Sequence, residues 1–348
     1  MAYATISKPS LHFNTLLYVA DQQDARNITG VGFQPDWVWI HNRTQSVNSL
    51  IYDAVRGVTK DLAANQQGAQ NTSTDGLQAF ISDGFTHGTG WGNQSTGDNY
   101  VAWNWKANGQ GSSNTDGSTN TTYTSANTTA GFSICLYEGT GSNATIGHGL
   151  GAAPEMIIVK NIDASQNWFV YHSGLGATNL IRLNMYNASL SSSGSWNNTA
   201  PTNLVFSVGT ESGTNQSGST HVAYCFKSIN GYSKIGTYVG NGNADGTFIY
   251  TGFKPAMMFF KKTSGSVANW QWWDNKRDPD NPVENAYHPD SNDADGSPDQ
   301  DIDFLSNGFK IRSNQHHLNN ANTTYIYYAV AEEPLVANVG ASIPCTAR

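Results

Sequence analysis

A proline followed at once by a short apolar run occurs three times in this chain and constrains its fold more than any other feature. The three copies are GFQPDWVWIHNR at 32–43, GAAPEMIIVKNI at 151–162 and GFKPAMMFFKKT at 252–263. Proline has a fixed φ and no amide hydrogen, so it suits the first residue of a strand and not its interior. The runs that follow do not alternate with polar residues, which indicates strands covered on both faces. We expect one kind of central strand, used three times.

Further landmarks recur around each copy in the same order. A tyrosine stands 17 residues before each proline, at Tyr18, Tyr137 and Tyr238. A second apolar strand follows the proline, then a phenylalanine before a polar loop, and finally an aromatic-rich strand at 100–105, 221–226 and 325–330. Each copy spans about 100 residues, far longer than the roughly 20 to 50 residues of solenoid and propeller repeats. The spacing predicts an all-β fold of three tandem repeated β-sandwich modules, jelly-roll-like in form.

The landmarks also place the boundaries between modules. We expect a lead-in at 1–10, module 1 at 11–106, a linker at 107–130, module 2 at 131–230, module 3 at 231–334 and a tail at 335–348. The linker is rich in Ser, Thr, Asn and Gly, and such low-complexity segments are predicted to be flexible or extended. Modules 2 and 3 meet without a spacer, which predicts that they pack together. A helical turn is expected only near 59–66.

Composition excludes several classes of function. Charged residues make up 13% of the chain and the net charge is −8, so the Lys and Arg clusters that bind nucleic acid are missing. No apolar run is long enough for a transmembrane helix, so we expect no membrane insertion. The first residues do not form a secretory signal, which predicts synthesis in a cytoplasm. In that compartment Cys135 and Cys225 are expected to be buried thiols, although a disulfide between them is conceivable.

One loop resembles the first half of a calcium-binding EF-hand loop. Asn241, Asn243 and Asp245 supply oxygens at its first, third and fifth positions, and a glycine follows. The acidic residue required at the twelfth position is missing, and no helices are expected beside the loop. A plain hairpin turn is therefore the favoured interpretation.

A second candidate cation site is the acidic stretch at 274–303. Asp293 and Asp295 lie within it, among ten acidic residues and two basic ones. Such a loop binds cations or is a solvated insertion, and the second interpretation is favoured. We expect no cofactor, with calcium as the alternative.

Two tryptophans lie outside the predicted strands. Trp91 and Trp196 occur in loops of Gly, Ser, Asn and Thr. An aromatic side chain presented by a polar loop can stack on a sugar ring or anchor a protein contact. A tryptophan folded back to plug the core is an equally good interpretation.

Motifs for catalysis are missing from the sequence. It contains no GxSxG, HExxH, Walker A or dinucleotide-binding fingerprint. A carboxylate pair for glycoside cleavage from distant strands stays open. A module used three times favours repeated contact over a single reaction centre, so we predict that the protein is not an enzyme.

Several longer motifs carry a family resemblance. They include IGHGLGAAPEMIIVKN at 146–161, GNGNADGTFIYTGFKPA at 240–256, DIDFLSNGFKIR at 301–312 and the terminal IPCTAR. Over nearly its whole length the chain resembles structural proteins of marine tailed bacteriophages. The resemblance implies a virion component, often labelled tail fibre or structural protein, with no established enzymatic role and no assigned functional residues.

The residues and the resemblance together predict a non-enzymatic virion surface protein, tail-associated and contacting the host envelope. A capsid decoration, cement or capsid-fibre protein is the first alternative. An envelope-polysaccharide depolymerase using carboxylates at 274–303 is the second. The expected partners are other virion proteins and a host-surface glycan or protein. Strands apolar on both faces also predict a homo-oligomer, and a trimer is favoured by analogy with fibres.

Overall fold

A computed structural model describes residues 4–296 and 301–335. Strands make up 41% of it and helices 5%, in several antiparallel sheets, so the predicted all-β class is confirmed. Most of the predicted tail at 335–348, including Cys345, lies outside the described residues. Within the described ranges, no helix is long and apolar enough to cross a membrane. The module boundaries stay predictions, and the module names are used below for the segments defined above.

Module 1 contains nine strands in two main antiparallel sheets. They are β1 Phe13–Val19, β2 Arg26–Thr29, β3 Trp37–Asn42, β4 Leu50–Asp53, β5 Lys60–Ala63, β6 Asn71–Thr72, β7 Leu77–Ile81, β8 Gly84–His87 and β9 Asn99–Trp105. The large sheet has the order β1-β9-β3-β4-β5-β6, and the small sheet has the order β2-β8-β7.

The next strands are β10 Thr121–Asn127, β11 Phe132–Glu138, β12 Ala144–Gly147, β13 Met156–Asn161, β14 Phe169–His172, β15 Asn179–Arg182, β16 Leu190–Ser191, β17 Val205–Val208 and β18 Thr220–Phe226. Their large sheet has the order β10-β11-β18-β13-β14-β15-β16, and β12 pairs with β17. All but β10 fall within module 2.

The described part of module 3 has seven strands. They are β19 Ser233–Val239, β20 Phe248–Tyr250, β21 Phe253–Lys262, β22 Gln271–Asp274, β23 Ile302–Leu305, β24 Gly308–Ile311 and β25 Thr324–Pro334. The sheets have the orders β19-β25-β21-β22 and β20-β24-β23. The orders β1-β9-β3-β4, β11-β18-β13-β14 and β19-β25-β21-β22 are the same, so one arrangement recurs in three segments.

Part of the predicted linker is a strand, so the extended alternative applies to that part of it. Residues Thr121–Asn127 form β10, an edge strand that pairs with β11 from Asn127↔Phe132 to Thr121↔Tyr137. Composition did not indicate the pairing, because an edge strand needs a partner for its backbone more than it needs apolar side chains. Thr124 and Ser125 are buried in this strand.

The helices are single turns. They are a 3₁₀ helix at Pro9–Leu11 and the α-helices α1 Ser193–Trp196, α2 Ser212–Asn215 and α3 His316–Asn319. The helical turn expected near 59–66 is wrong, because Lys60–Ala63 is β5 and pairs with β4 through Ile51↔Leu62. Sheet pairing overrides local helix propensity here.

The central strands β3, β13 and β21 send alternate side chains into two different cores. Trp37 and Trp39 of β3 join a core shared by all three modules, whereas Val38 and Ile40 join a core of module 1 alone. The other two central strands show the same alternation. In β13, Met156 and Ile158 face the shared core, whereas Ile157 and Val159 face a core of module 2 alone. In β21, Met257 and Phe259 face the shared core, whereas Met258 and Phe260 face a core of module 3 alone. The continuous apolar runs are therefore explained by two buried faces.

Aromatic contacts across modules fill the shared core. The ring centroids of Trp103 and Trp272 are 4.3 Å apart, and those of Trp37 and Tyr224 are 4.7 Å apart. Phe226 and Tyr328 lie 5.1 Å apart. Such pairs contribute about 0.5–1.5 kcal/mol each beyond the area they bury. The three modules are therefore packed against one another through the shared core, and not joined by the chain alone. Because one chain covers both faces of its central strands, those faces are no longer an argument for a homo-oligomer, which stays a prediction.

Candidate functional site

A cycle of polar contacts joins the three modules at one end of the large sheets. The last residues of β4, β14 and β22 are Asp53, His172 and Asp274, and each side chain reaches the closing strand of the next module. The contacts are Asp53 Oδ2 with the Tyr224 hydroxyl at 2.7 Å, His172 Nε2 with the Tyr327 carbonyl oxygen at 3.3 Å, and Asp274 Oδ2 with Trp103 Nε1 at 3.1 Å. They link module 1 to 2, 2 to 3 and 3 to 1, so the cycle is closed.

Buried ion pairs reinforce two of these contacts. Arg56 Nε donates to Asp53 Oδ2 at 2.5 Å, and Arg277 Nε donates to Asp274 Oδ2 at 2.6 Å. Arg277 also contacts Asp295 Oδ1 at 2.9 Å. Burial works against the charge of Arg277, but the two carboxylates outweigh it and raise its pKa. An unpaired charge in the protein interior is very costly, so each of these charged groups depends on its partner. The ion pairs therefore stabilise the contacts between modules.

The opposite ends of the central strands carry a second cycle. Near the ends of β3, β13 and β21 stand His41, Lys160 and Lys261, all buried. Their contacts with the preceding module are His41 Nε2 to Asp295 Oδ1 at 3.3 Å, Lys160 Nζ to the Gln67 carbonyl oxygen at 3.0 Å, and Lys261 Nζ to the Met185 carbonyl oxygen at 3.0 Å. Burial lowers the pKa of Lys160 to about 8. Burial also lowers the pKa of His41, which disfavours the cationic form of its ring. These buried basic side chains are therefore used to join modules.

The Asn-rich loop expected as a calcium candidate is a hydrogen-bonded turn. Asn241 Oδ1 accepts from the Asn243 amide at 3.0 Å and from Asn319 Nδ2 at 2.8 Å. Asp245 pairs with Lys310 Nζ at 2.6 Å, and this partner lowers its pKa. Asn241 Oδ1 and Asp245 Oδ1 are thus engaged by protein donors. The hairpin-turn interpretation is wrong, because the loop joins β19 and β20, which pair with β25 and β24 in different sheets.

The acidic stretch at 274–303 is not a uniformly solvated insertion. Asp274 is buried, and Asp295 contacts Arg43 Nε at 2.6 Å in addition to Arg277 and His41. Burial alone would raise the pKa of Asp295, but the charge of Arg277, with the hydrogen bonds from His41 and Arg43, holds it well below its ordinary value. Asp293 accepts from the Ser291 hydroxyl at 2.8 Å. Throughout the described part of the chain, no group of three or more His, Cys, Asp or Glu residues is placed to hold a metal ion.

The two loop tryptophans have opposite environments. Trp196 ends α1 with 1% of its surface exposed, and its ring packs edge-on against Tyr171 at 5.8 Å. It is a core plug, which excludes it as a residue that stacks on a sugar. Trp91 is 43% exposed and lies beside Asn42 and Tyr100 at a shallow depression. Trp91 therefore stays a candidate for an exposed contact.

Cys135 and Cys225 are free and fully buried. They lie on adjacent strands but are out of register, because Cys135 is opposite Ala223 and Cys225 is opposite Ser133. Burial raises the pKa of the Cys225 thiol. The expectation of buried thiols agrees with this placement.

Two clefts lie between modules 2 and 3. The larger, about 490 Å³, is lined by Glu155, Lys234 and Tyr250, among others. The smaller, about 230 Å³, is lined by side chains that include Tyr186 and His317. Burial, with the nearby His316 and His288, lowers the pKa of His317 to about 4. The buried lysines were not predicted as site residues from the sequence. A lysine that directly follows an apolar run in two equivalent strands was the available signal for Lys160 and Lys261.

A family model described as "Domain of unknown function (DUF7483)" matches residues 8–334. A comparison with curated proteins finds no match. The matched segment contains all of the strands described above, from β1 to β25. The chain therefore belongs to the DUF7483 family.

Proposed function

We propose that this protein is a non-enzymatic surface component of a bacteriophage virion, attached to the tail, that contacts the host envelope. The observation that carries the proposal is how the buried charged groups are used. Arg56, Arg277, Lys160 and Lys261 all hold modules or their loops together, and none lines either cleft between modules 2 and 3. Shifted pKa values at a reaction centre belong to groups that face the substrate. Here the buried arginines and lysines fasten a scaffold, and His317 is the cleft residue described above whose pKa is shifted.

The two closed cycles of contacts between modules indicate that the three modules form one rigid unit with its loops at the surface. Three modules joined by a shared aromatic core have few ways to move relative to one another. Large apolar side chains are nevertheless exposed outside that core, including Tyr186, Val267, Phe248 and Tyr250 at 44–54% exposure. Exposed aromatic residues on a rigid frame suit recognition of another surface. The resemblance to phage structural proteins supports the virion as the place of action.

The proposal is tested by adsorption competition. Purified protein is incubated with host cells before phage is added, and free phage is counted. The proposal expects adsorption to fall as the protein concentration rises, with heat-denatured protein as the control. Unchanged adsorption together with no direct binding to host cells would contradict the contact with the host envelope.

Copy number separates the tail assignment from capsid decoration. Oligomers follow the symmetry of the structure they occupy, so a tail component is present in few copies and a capsid component in many. Quantitative mass spectrometry of purified virions measures this number directly. We expect tens of copies rather than hundreds, and hundreds would move the protein to the capsid.

A further inference from the structure

The smaller cleft between modules 2 and 3 has the size of a single small ligand. Its volume is about 230 Å³, and its lining includes Tyr186, Val267, Asn269, His288 and His316. Pockets for drug-sized molecules occupy roughly 300–1,000 Å³. At roughly 30 Å³ per water, the space corresponds to about eight waters. A single ring with its substituents fits, and an extended peptide does not.

Tyr186 presents an aromatic ring from an anchored backbone. Its side chain is 54% exposed, although its carbonyl oxygen accepts from the Ala268 amide at 3.0 Å. The carbonyl oxygen of the preceding residue, Met185, accepts from the buried Lys261 Nζ at 3.0 Å. The backbone is thus fixed from two sides while the ring faces solvent. A large rigid side chain held in this way loses little conformational entropy on binding.

The comparison with the seam between modules 1 and 2 shows that the ring is not needed for packing. There the Gln166 amide donates to the Gln67 carbonyl oxygen at 3.0 Å, in the same way that Ala268 donates to Tyr186. Gln67 and Tyr186 therefore occupy matching places, and the side chain of Gln67 is a flexible amide. The same backbone contact forms with either residue, so packing of the seam does not explain the aromatic ring.

The polar lining of the cleft is suited to hydroxyl groups. None of its eight described lining residues is Asp, Glu, Lys or Arg. Asn269 Nδ2 lies 3.4 Å from His288 Nδ1, and His316 Nε2 lies 3.3 Å from the Val267 carbonyl oxygen. Amide and imidazole groups offer both donors and acceptors, which match a hydroxyl group that is itself both. The larger cleft, by contrast, is lined by Glu155 and Lys234.

We propose that this cleft binds an uncharged sugar residue of a host-surface glycan, with the ring of Tyr186 lying against the apolar face of the sugar. Asn269 and His316 are placed to exchange hydrogen bonds with its hydroxyl groups, whereas the two ring nitrogens of His288 are engaged by Asn269 and Gln271. The glycan's place on the host surface rests on the proposed function, whereas the binding of a neutral sugar by the cleft does not. A metal ion is not the favoured occupant of the cleft, because the described histidines form no group placed to hold one.

The test is saturation-transfer NMR with methyl glycosides of glucose, galactose and mannose at millimolar concentration, in the presence of EDTA. We expect saturation transfer to at least one of these sugars, and a loss of at least tenfold in affinity in Tyr186→Ala. Leu204→Ala is the matched control, because Leu204 is similarly exposed at 48%, lies outside the cleft and should leave sugar binding unchanged. Both variants replace exposed side chains and are expected to fold, which circular dichroism checks.

No saturation transfer to any of the three sugars, or equal affinity in Tyr186→Ala and the intact protein, would overturn the assignment. Adsorption competition distinguishes this failure from failure of the proposed function. If the intact protein blocks adsorption and Tyr186→Ala blocks it equally, the cleft is not the contact and the virion role stands. If the sugar binds but the protein neither binds host cells nor blocks adsorption, the cleft assignment stands and the host contact fails.

Discussion

Replacing Arg277 with methionine tests whether the buried ion pairs hold the modules together. The side chain of Arg277 is fully buried, and it neutralises Asp274 at 2.6 Å and Asp295 at 2.9 Å. It also donates to the Trp272 carbonyl oxygen at 2.9 Å, and its guanidinium lies 5.2 Å from the ring centre of Trp103. Removing one partner of a buried pair costs about 3–5 kcal/mol, because the other charge is left buried and unpaired. Asp274 loses its ion-pair partner here, whereas Asp295 keeps Arg43, so we expect a loss of about 3–5 kcal/mol.

The assay is urea denaturation followed by tryptophan fluorescence, with the free energy of unfolding extrapolated to water. Arg312→Met is the control, because the side chain of Arg312 is 48% exposed in its pair with Asp303. Exposed pairs contribute about 0–1 kcal/mol. A loss below about 1 kcal/mol in Arg277→Met, or equal losses in the two variants, would refute the role assigned to these charges.

The pH dependence of the same variant gives an independent check. The pKa of Asp295 is held below its ordinary value, so its contribution to stability is present above the unfolded-state pKa of about 3.9 and is lost as the pH falls through the folded-state pKa. The difference in unfolding free energy between the intact protein and Arg277→Met should therefore be largest near neutral pH. It should shrink below about pH 4. A difference of the same size at pH 7 and pH 3 would show that the lost energy is packing and not charge.

Three further outcomes follow from the described environments. Trp196→Ala should lower the free energy of unfolding by about 3–5 kcal/mol, whereas Trp91→Ala should change it by no more than about 0.5 kcal/mol; urea denaturation measures both. Millimolar calcium should leave the melting temperature unchanged in differential scanning fluorimetry, because Asn241 Oδ1 and Asp245 Oδ1 in the loop at 241–246 are engaged by protein donors; a rise of several degrees would contradict this. Cys135 and Cys225 should react with iodoacetamide only in urea, since both are fully buried; labelling of the native protein, read by mass spectrometry, would show otherwise.

The positions of the central strands could be predicted from the sequence because their signal is local. A proline followed by an apolar run such as WVWI at 37–40 has few interpretations, and the observed strand Trp37–Asn42 falls on it. The run also indicated two buried faces. It could not indicate what covers the second face, because Trp37 contacts Tyr224, which lies 187 residues later in the sequence. Which surfaces meet across such distances is a property of the assembled fold.

The sites were predicted less well, for a related reason. Trp196 and Trp91 have the same kind of polar neighbours in the sequence, yet one is buried and the other is exposed. Asp295 looked like one acid in a solvated loop, but its partners Arg43 and His41 come from module 1. Composition describes the neighbours along the chain, whereas burial and charge pairing depend on neighbours in space.

The central claim is that three sheets share one aromatic core and are closed into a cycle of contacts. Calorimetric unfolding of the intact chain tests it most directly, through the ratio of the calorimetric enthalpy to the van't Hoff enthalpy. A single cooperative unit gives a ratio of about 1, and this is the result we predict from the shared core. A ratio of about 3 would mean that the modules unfold independently, which would contradict the claim.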